Sequence, residues 1–325
     1  MGINFEKALS SNPGVGGDLI IPQLADQILP FIRQRSYLRQ FLRSVNMPTE
    51  TYKFPKLVQG ASVYYVGEGT VAPDTSLTTG TVNLQAKKLM VALAISAELE
   101  EDSILPIVPV IRDDIAKAFA LAEENAFING DTTHLATADG TVTPITDANW
   151  YQYDHRRAYD GLLKMATETT TTCASANRYV DADDLPLSLA NLSSAIEKLD
   201  VFGRDKSELL FICSLKEENR LRLLLGLNLQ LNQLNLVGTA LPGEIGKVFG
   251  IPVVATNLLN NSAGGTTTAL LVNRNSAIIG DRRIFTIKSS DELLIKSDQL
   301  LIVASERLAF QEQYCQGIIR IINIG

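Results

Sequence analysis

An α+β fold is predicted by three features of the sequence. Apolar residues alternate in a strand-like pattern over residues 51–96, one long one-sided helix follows, and strand patterning returns from residue 282 to the end. With 325 residues, 46% hydrophobic and 20% charged, the chain can bury one or two sizeable cores and is not disordered. More than one lobe is expected.

Residues 1–17 are rich in Ser, Asn, Gly and Pro and lack an apolar period, so they read as an extended arm. Leu24, Ile28, Phe31, Ile32, Leu38, Phe41 and Leu42 then give a helical stripe disturbed by Pro30, which suits a short helix or two. In the following stretch Val82, Leu84 and Ala86 share one parity, and Leu89, Val91, Leu93 and Ile95 share the other. The slip at Lys87-Lys88 implies a bulge or bend where a hairpin leaves the main body. Residues 67–80 are rich in Gly, Thr, Ser, Pro and Asp, and so predict a long projecting tip. Loops of that length are uncommon unless functional, so a surface outside the subunit should receive it.

The long helix is marked by Ile104, Val108, Ile111, Ile115, Phe119, Ala122 and Ala126 on one face. Residues 98–103 supply acidic and capping groups at its start, Pro106 and Pro109 fit its first turn, and Asn129-Gly130 supplies a left-handed stop. Residues 130–184 are polar and Thr-rich, and no elements are assigned within them. Beyond lie a helix over 184–199 entered through Asp183-Asp184, a buried strand over 208–213, and a helix over 214–225 capped by Ser214 with Glu217 three residues on. Short strands follow at 251–255 and 269–272, which makes this part a compact α/β lobe. Strands at 285–287, 293–295, 300–304 and 318–322 should form the sheet under the long helix, with the α/β lobe inserted between helix and sheet.

Charge and motifs exclude several kinds of function. The net charge of −7 offers no dense basic patch for reading nucleic acid, although a mildly acidic wall would not stick to enclosed DNA. Cys173, Cys213 and Cys315 fit neither a redox pair nor a zinc spacing and read as reduced core thiols. No signal peptide and no run of roughly 18 apolar residues is present. His134 and His155 read as ordinary surface histidines, because no positioned nucleophile and orienting group accompanies them. Residues 14–17 lack the preceding strand and following GK[ST] of a phosphate loop, and residues 243–248 read as a turn before a strand. Asp181, Asp183 and Asp184 lack the rest of a calcium loop and read as caps. Arg156-Arg157 and Arg282-Arg283 suit ion pairs with a neighbouring subunit better than DNA. No catalytic, cofactor-binding or metal residue is assigned.

Several phrases in order resemble the Hong Kong 97-type major capsid proteins of tailed phages. They are GGDLIIPQ at residues 16–23, YKFPKL at 52–57, KKLMVALAISAELEEDS at 87–103, EENAFINGD at 123–131, GKVFGIPVVATNLL at 246–259 and ERLAFQEQYCQGIIRI at 306–321. The resemblance implies an N-terminal arm (1–48), an extended loop (49–96), a peripheral domain with a spine helix (97–183 and 282–325) and an inserted axial domain (184–281). It further implies pentamers and hexamers of this chain in an icosahedral virion capsid around double-stranded DNA, assembled in the host cytoplasm and without contact to a membrane. A scaffold protein, a portal, a maturation protease and a decoration protein are the expected partners. Some members weld their shells through a Lys on the extended loop. No Lys stands between Lys56 and Lys87, so a noncovalent shell is expected. No helical, charged prefix precedes the arm, and a start at Met1 favours a separate scaffold over a processed form. The rival readings are an encapsulin-type nanocompartment shell, disfavoured by the Gly/Ser/Asn-rich arm, and a soluble α/β enzyme, which no residue constellation supports.

Overall fold

Two sheets and one long helix organise the chain, seen in a computed structural model that describes residues 36–102, 107–132, 134–136, 142–144, 154–168, 178–227, 244–259, 267–290, 292 and 294–325. The first part runs α1 (Leu38–Phe41), β1 (Arg43–Asn46), β2 (Thr51–Gln59), β3 (Thr78–Gln85), β4 (Lys87–Ser96), α2 (Ala97–Asp102) and α3 (Ile107–Asn129). The middle runs β5 (His134–Ala136), β6 (Val142–Pro144), α4 (Leu162–Thr167), β7 (Tyr179–Asp181), α5 (Leu189–Lys198), β8 (Leu209–Cys213) and α6 (Leu215–Leu227). The last part is all strand: β9 (Glu244–Val248), β10 (Ile251–Ala255), β11 (Thr267–Asn273), β12 (Ala277–Ser290), β13 (Gln299–Glu312) and β14 (Ile318–Ile324). The arm at residues 1–17, the stripe from Leu24 to Ile32, Ile104 and Cys173 lie outside the described residues.

A four-stranded sheet in the order β1-β12-β13-β4 carries α3 on one face. Ile111, Ile115 and Phe119, recurring every four residues, meet Ile95, Ile302 and Ala304 of β4 and β13. Phe119 also packs edge-on against Phe285 of β12, with ring centroids 5.0 Å apart. A six-stranded sheet in the order β7-β14-β11-β8-β10-β9 is buried on both faces. Leu210, Ile212, Leu270 and Val272 point toward the end of α3 and α4, while Leu209, Phe211, Ala269 and Leu271 point toward α5.

The slip between Ala86 and Leu89 is a change of sheet. β3 pairs only with β2, then the chain turns at Ala86, whose amide donates to Glu50 O at 2.9 Å, and β4 pairs with β13. One hairpin therefore stands off the body while its outgoing strand is rooted in it.

Several expectations are corrected. Residues 318–322 are a strand of the six-stranded sheet and not of the sheet under the helix, and residues 295–297 form a single helical turn and not a strand. Residues 98–102 form the separate helix α2 and not the lead-in of α3. Gly130 is not in the left-handed region. A Cβ there would strike the carbonyl oxygens of Ala126 and Tyr159, so close backbone approach demands the glycine. Asp183 and Asp184 have φ of 54° and 58° in a turn, and α5 is capped by Ser188, whose hydroxyl accepts from Asn191 N at 3.2 Å. Pro186 lies between, and a proline disfavours helical geometry in the residue before it. Residues 244–248 are the strand β9, joined to β10 through Phe249 and Gly250, both with positive φ. Of the described cysteines, Cys213 is a buried thiol as expected, but Cys315 is disulfide-bonded and so is not the reduced thiol the sequence suggested. By contrast Ser214 caps α6 as expected, accepting from Glu217 N at 3.3 Å.

Candidate assembly surface

The β2–β3 finger divides into a fixed root and an unburied tip. At the root, Val82, Leu84 and Ala86 pack on Met47, Ile278 and Ala309 of the body. Gly280 keeps that contact open, because a Cβ there would collide with the Met47 sulfur. Lys56 Nζ donates to Gln313 O at 2.7 Å and lies over the Tyr314 ring, and Tyr314 Oη donates to Leu57 O at 3.3 Å. Residues 60–77 have no regular structure and are tied across by Ser62 N donating to Thr75 Oγ1 at 3.0 Å. Val63 is 97% exposed and Val71 90%, with Tyr65 wholly exposed beside them. Apolar side chains so completely in water at one place mark a contact surface.

The tip carries Glu68 and Asp74, and no Lys or Arg stands between Lys56 and Lys87. The four-stranded sheet presents the opposite sign on the face away from α3. Ile302 and Ala304 of β13 face the helix, so Val303, Ser305 and Arg307 face away. Arg307 pairs in register with Arg283 on one side and Lys88 on the other, giving a row of three cations across three strands. Glu50 answers Arg307 at 3.3 Å, and Arg283 reaches Ser305 Oγ at 2.8 Å. Exposed Met90 and Ala92 continue this face beyond the row.

The residues singled out in the sequence behave otherwise. His155 is half-buried at the surface: its Nε2 lies 2.9 Å from Asn125 Nδ2, and burial lowers its pKa. His134 sits in the small β5–β6 hairpin. Burial pushes Asp154 up, but the Arg156 guanidinium and amide outweigh it and hold the carboxyl below its usual range. Arg156 is thereby paired within its own chain, at 2.6 Å. Asp181 accepts from Asp183 N at 2.9 Å and from Asn323 Nδ2 at 3.1 Å, which fixes a turn against β14. Among the described residues no group of three His, Cys, Asp or Glu side chains is placed to hold a metal, and no helix is long and apolar enough to cross a membrane.

One constellation was missed. Arg39 of α1 binds both carboxylate oxygens of Glu123 at 2.8 and 3.1 Å and Asp281 of β12 at 2.8 Å, with Glu306 of β13 buried beside them. The available signal was a charge at a core position: Glu123 stands four residues after Phe119, and Glu306 two after Ala304.

Comparison with known proteins places this architecture. The sequence profile of the phage capsid family matches residues 16–321. The major capsid protein of Klebsiella oxytoca phage phiKO2 is 28% identical over 127 residues, which is 39% of this chain and 30% of that protein. The major capsid protein of Escherichia phage T5 is 24% identical over 245 residues, covering 73% of this chain and 46% of that protein. The chain thus spans less than half the length of these curated relatives. Among solved structures, the capsid of a native GTA particle superposes with a TM-score of 0.66 at 17% identity, covering 97% of this chain and 99% of that one. A chain from the structure of Microbacterium phage Oxtober96 gives 0.63 at 16% identity, covering 96% and 99%. The α+β, Hong Kong 97-type fold expected from the sequence is the fold of these capsid chains. With the profile matched along nearly its whole length and the fold shared end to end, this chain belongs to the phage capsid family.

Proposed function

We propose that this chain is a major capsid subunit with no catalytic role, which assembles with its own copies into pentamers and hexamers of an icosahedral shell around double-stranded DNA. The observation that carries this is the finger: its root is packed and its tip leaves Val63, Tyr65 and Val71 in water. Such residues gain burial only against another copy, and permanent interfaces bury on the order of 2,000 Å² or more. The seat for the tip is the helix-free face of a neighbour's four-stranded sheet, where the Lys88, Arg307 and Arg283 row meets Glu68 and Asp74. The four-stranded sheet with α3 serves as the peripheral part and the six-stranded sheet as the axial part. Because the tip has no Lys, the contact is noncovalent. A scaffold protein, a portal, a maturation protease and a decoration protein complete the assembly.

A charge exchange tests the seat. Lys88→Glu with Arg283→Glu should leave the chain folded but reduce particle yield, seen by electron microscopy, by about a hundredfold, since opposed like charges cost several kcal/mol. Adding Glu68→Lys and Asp74→Lys should restore particles. Unchanged yield in the first variant, or a wild-type chain that stays a folded monomer at high concentration, defeats the proposal.

A further inference from the structure

The four-stranded sheet ends at β1 on one side and at β4 on the other. β1 is only four residues long. β4 runs for ten residues without a proline, and among the described residues no strand pairs with its outer side. Ala94 and Ile95 are buried at its far end, but from Lys87 to Ala92 every residue except Leu89 is exposed. An open edge of that length offers a row of unpaired backbone groups, and proteins blunt such edges with charge, proline or shortness. Here Lys87 and Lys88 guard one end, while Met90 to Leu93 carry no charge.

The finger holds a segment with the matching need. Its ladder ends at the pair of Gln59 with Thr78, and Val63, Tyr64, Tyr65 and Val66 beyond it, all residue types that favour strands, join no ladder. Thr70 N donates to Gly67 O at 3.2 Å, so the segment stops in a turn that Gly69, with φ of 78°, permits. The finger's own body is not the receiver. Lys56 on Gln313 and Tyr314 on Leu57 fix its base, and Val63 and Tyr65 remain in water.

We propose, on the reading that a second copy receives the finger, that residues 63–67 join the free edge of that copy's β4 as an added antiparallel strand, with Val66 opposite Met90 and Tyr64 opposite Ala92. Side chains opposite one another in such a pair share a face. Val91 and Leu93 pair with Ala304 and Ile302 and so face α3, which covers neither completely. In this register Tyr65 covers Val91 and Val63 covers Leu93. On the other face Glu68, at the start of the turn, falls beside Lys88 and ends the row Arg283, Arg307, Lys88 with a carboxylate. A slip of one residue would turn Val63 and Tyr65 to the wrong face. Slips of two would put Val63 on Ile95, which is already fully buried, or carry Glu68 past the start of β4. A parallel strand with Glu68 at Lys88 would also run off that start. Donor segment and receiving edge are different surfaces, so the contact is head-to-tail and can repeat around a ring.

Disulfide trapping in assembled particles tests the register. Val66→Cys with Met90→Cys places two sulfurs across the join within bonding reach, since opposite Cα atoms lie about 4.5–5.5 Å apart. Val66→Cys with Val91→Cys alters the same neighbourhood but turns the second sulfur to the other face. After oxidation the first pair should give covalent multimers on a denaturing gel at about tenfold or more the yield of the second, with wild-type particles setting the background from native cysteines. Hydrogen exchange of wild-type particles reads the same join if a cysteine variant fails to assemble: residues 63–66 and 88–93 should exchange about tenfold or more slowly than in the free chain. No excess of the first pair over the second, or β4 amides that exchange in particles as they do in the free chain, overturns the added strand and leaves the finger contact itself standing. A wild-type chain that never assembles overturns both.

Discussion

Lys164 buries its ammonium in a nest of carboxylates, 2.7 Å from Asp131, 2.7 Å from Asp160 and 3.7 Å from Glu168. Asp131 follows the end of α3 and is fully buried, so this pair ties the helix end to α4. Because Asp131 would be left as a charge in the interior, Lys164→Met should destabilise the chain by about 3–5 kcal/mol in urea unfolding. Lys164→Met with Asp131→Leu should recover most of that loss, since replacing both partners of a buried pair is often close to neutral. A single variant no less stable than wild type would show that Asp131 is not ionised there. The same economy of space rules Gly130 and Gly161. Gly161 N donates to Gly130 O at 2.7 Å, and a side chain on either residue would strike backbone.

The finger separates what folds the chain from what it is for. Leu84 is 1% exposed in the root cluster, so Leu84→Ala should lower stability by about 2–5 kcal/mol. Tyr65→Ser at the tip touches nothing in its own chain and should shift the unfolding midpoint by less than about 0.5 kcal/mol equivalent, yet depress particle yield. If both variants lowered stability alike, the tip would have a partner within the chain. Alternation made β3 and β4 legible, because each has one buried face and period 2 then shows in sequence. β14 was legible as a strand but not as a member of its sheet. Its run of Ile is buried on both faces, and a run without alternation says nothing about which sheet it joins. β9 was hidden because Gly246 and Lys247 dilute its apolar pattern, and α5 began late because Pro186 reset the cap. The Arg39 constellation escaped because periodicity counts apolar residues, and the clue there was two glutamates standing where apolar residues belong.

At the level of the whole molecule, the long helix and both sheets form a continuous body, while residues 60–77 project from it with no backbone ladder of their own. Protease susceptibility follows this contrast, because cleavage needs an extended segment of chain free to enter an active site, and packed strands deny it. In the unassembled chain a broad-specificity protease should nick first within residues 60–77 and leave the body intact, since the root is held by the Met47 and Leu84 cluster and by Lys56 on Gln313. If the tip lies on the cationic row of a neighbouring copy in particles, the same bond should be cut there at least about tenfold more slowly. Salt should then narrow the difference, because Glu68 and Asp74 would meet the Lys88, Arg307 and Arg283 row at the rim of the contact, where screening acts over about 10 Å. Equal cleavage rates in particle and free chain would mean that the tip remains in water after assembly. Some other surface, and not this finger, would then hold the copies together.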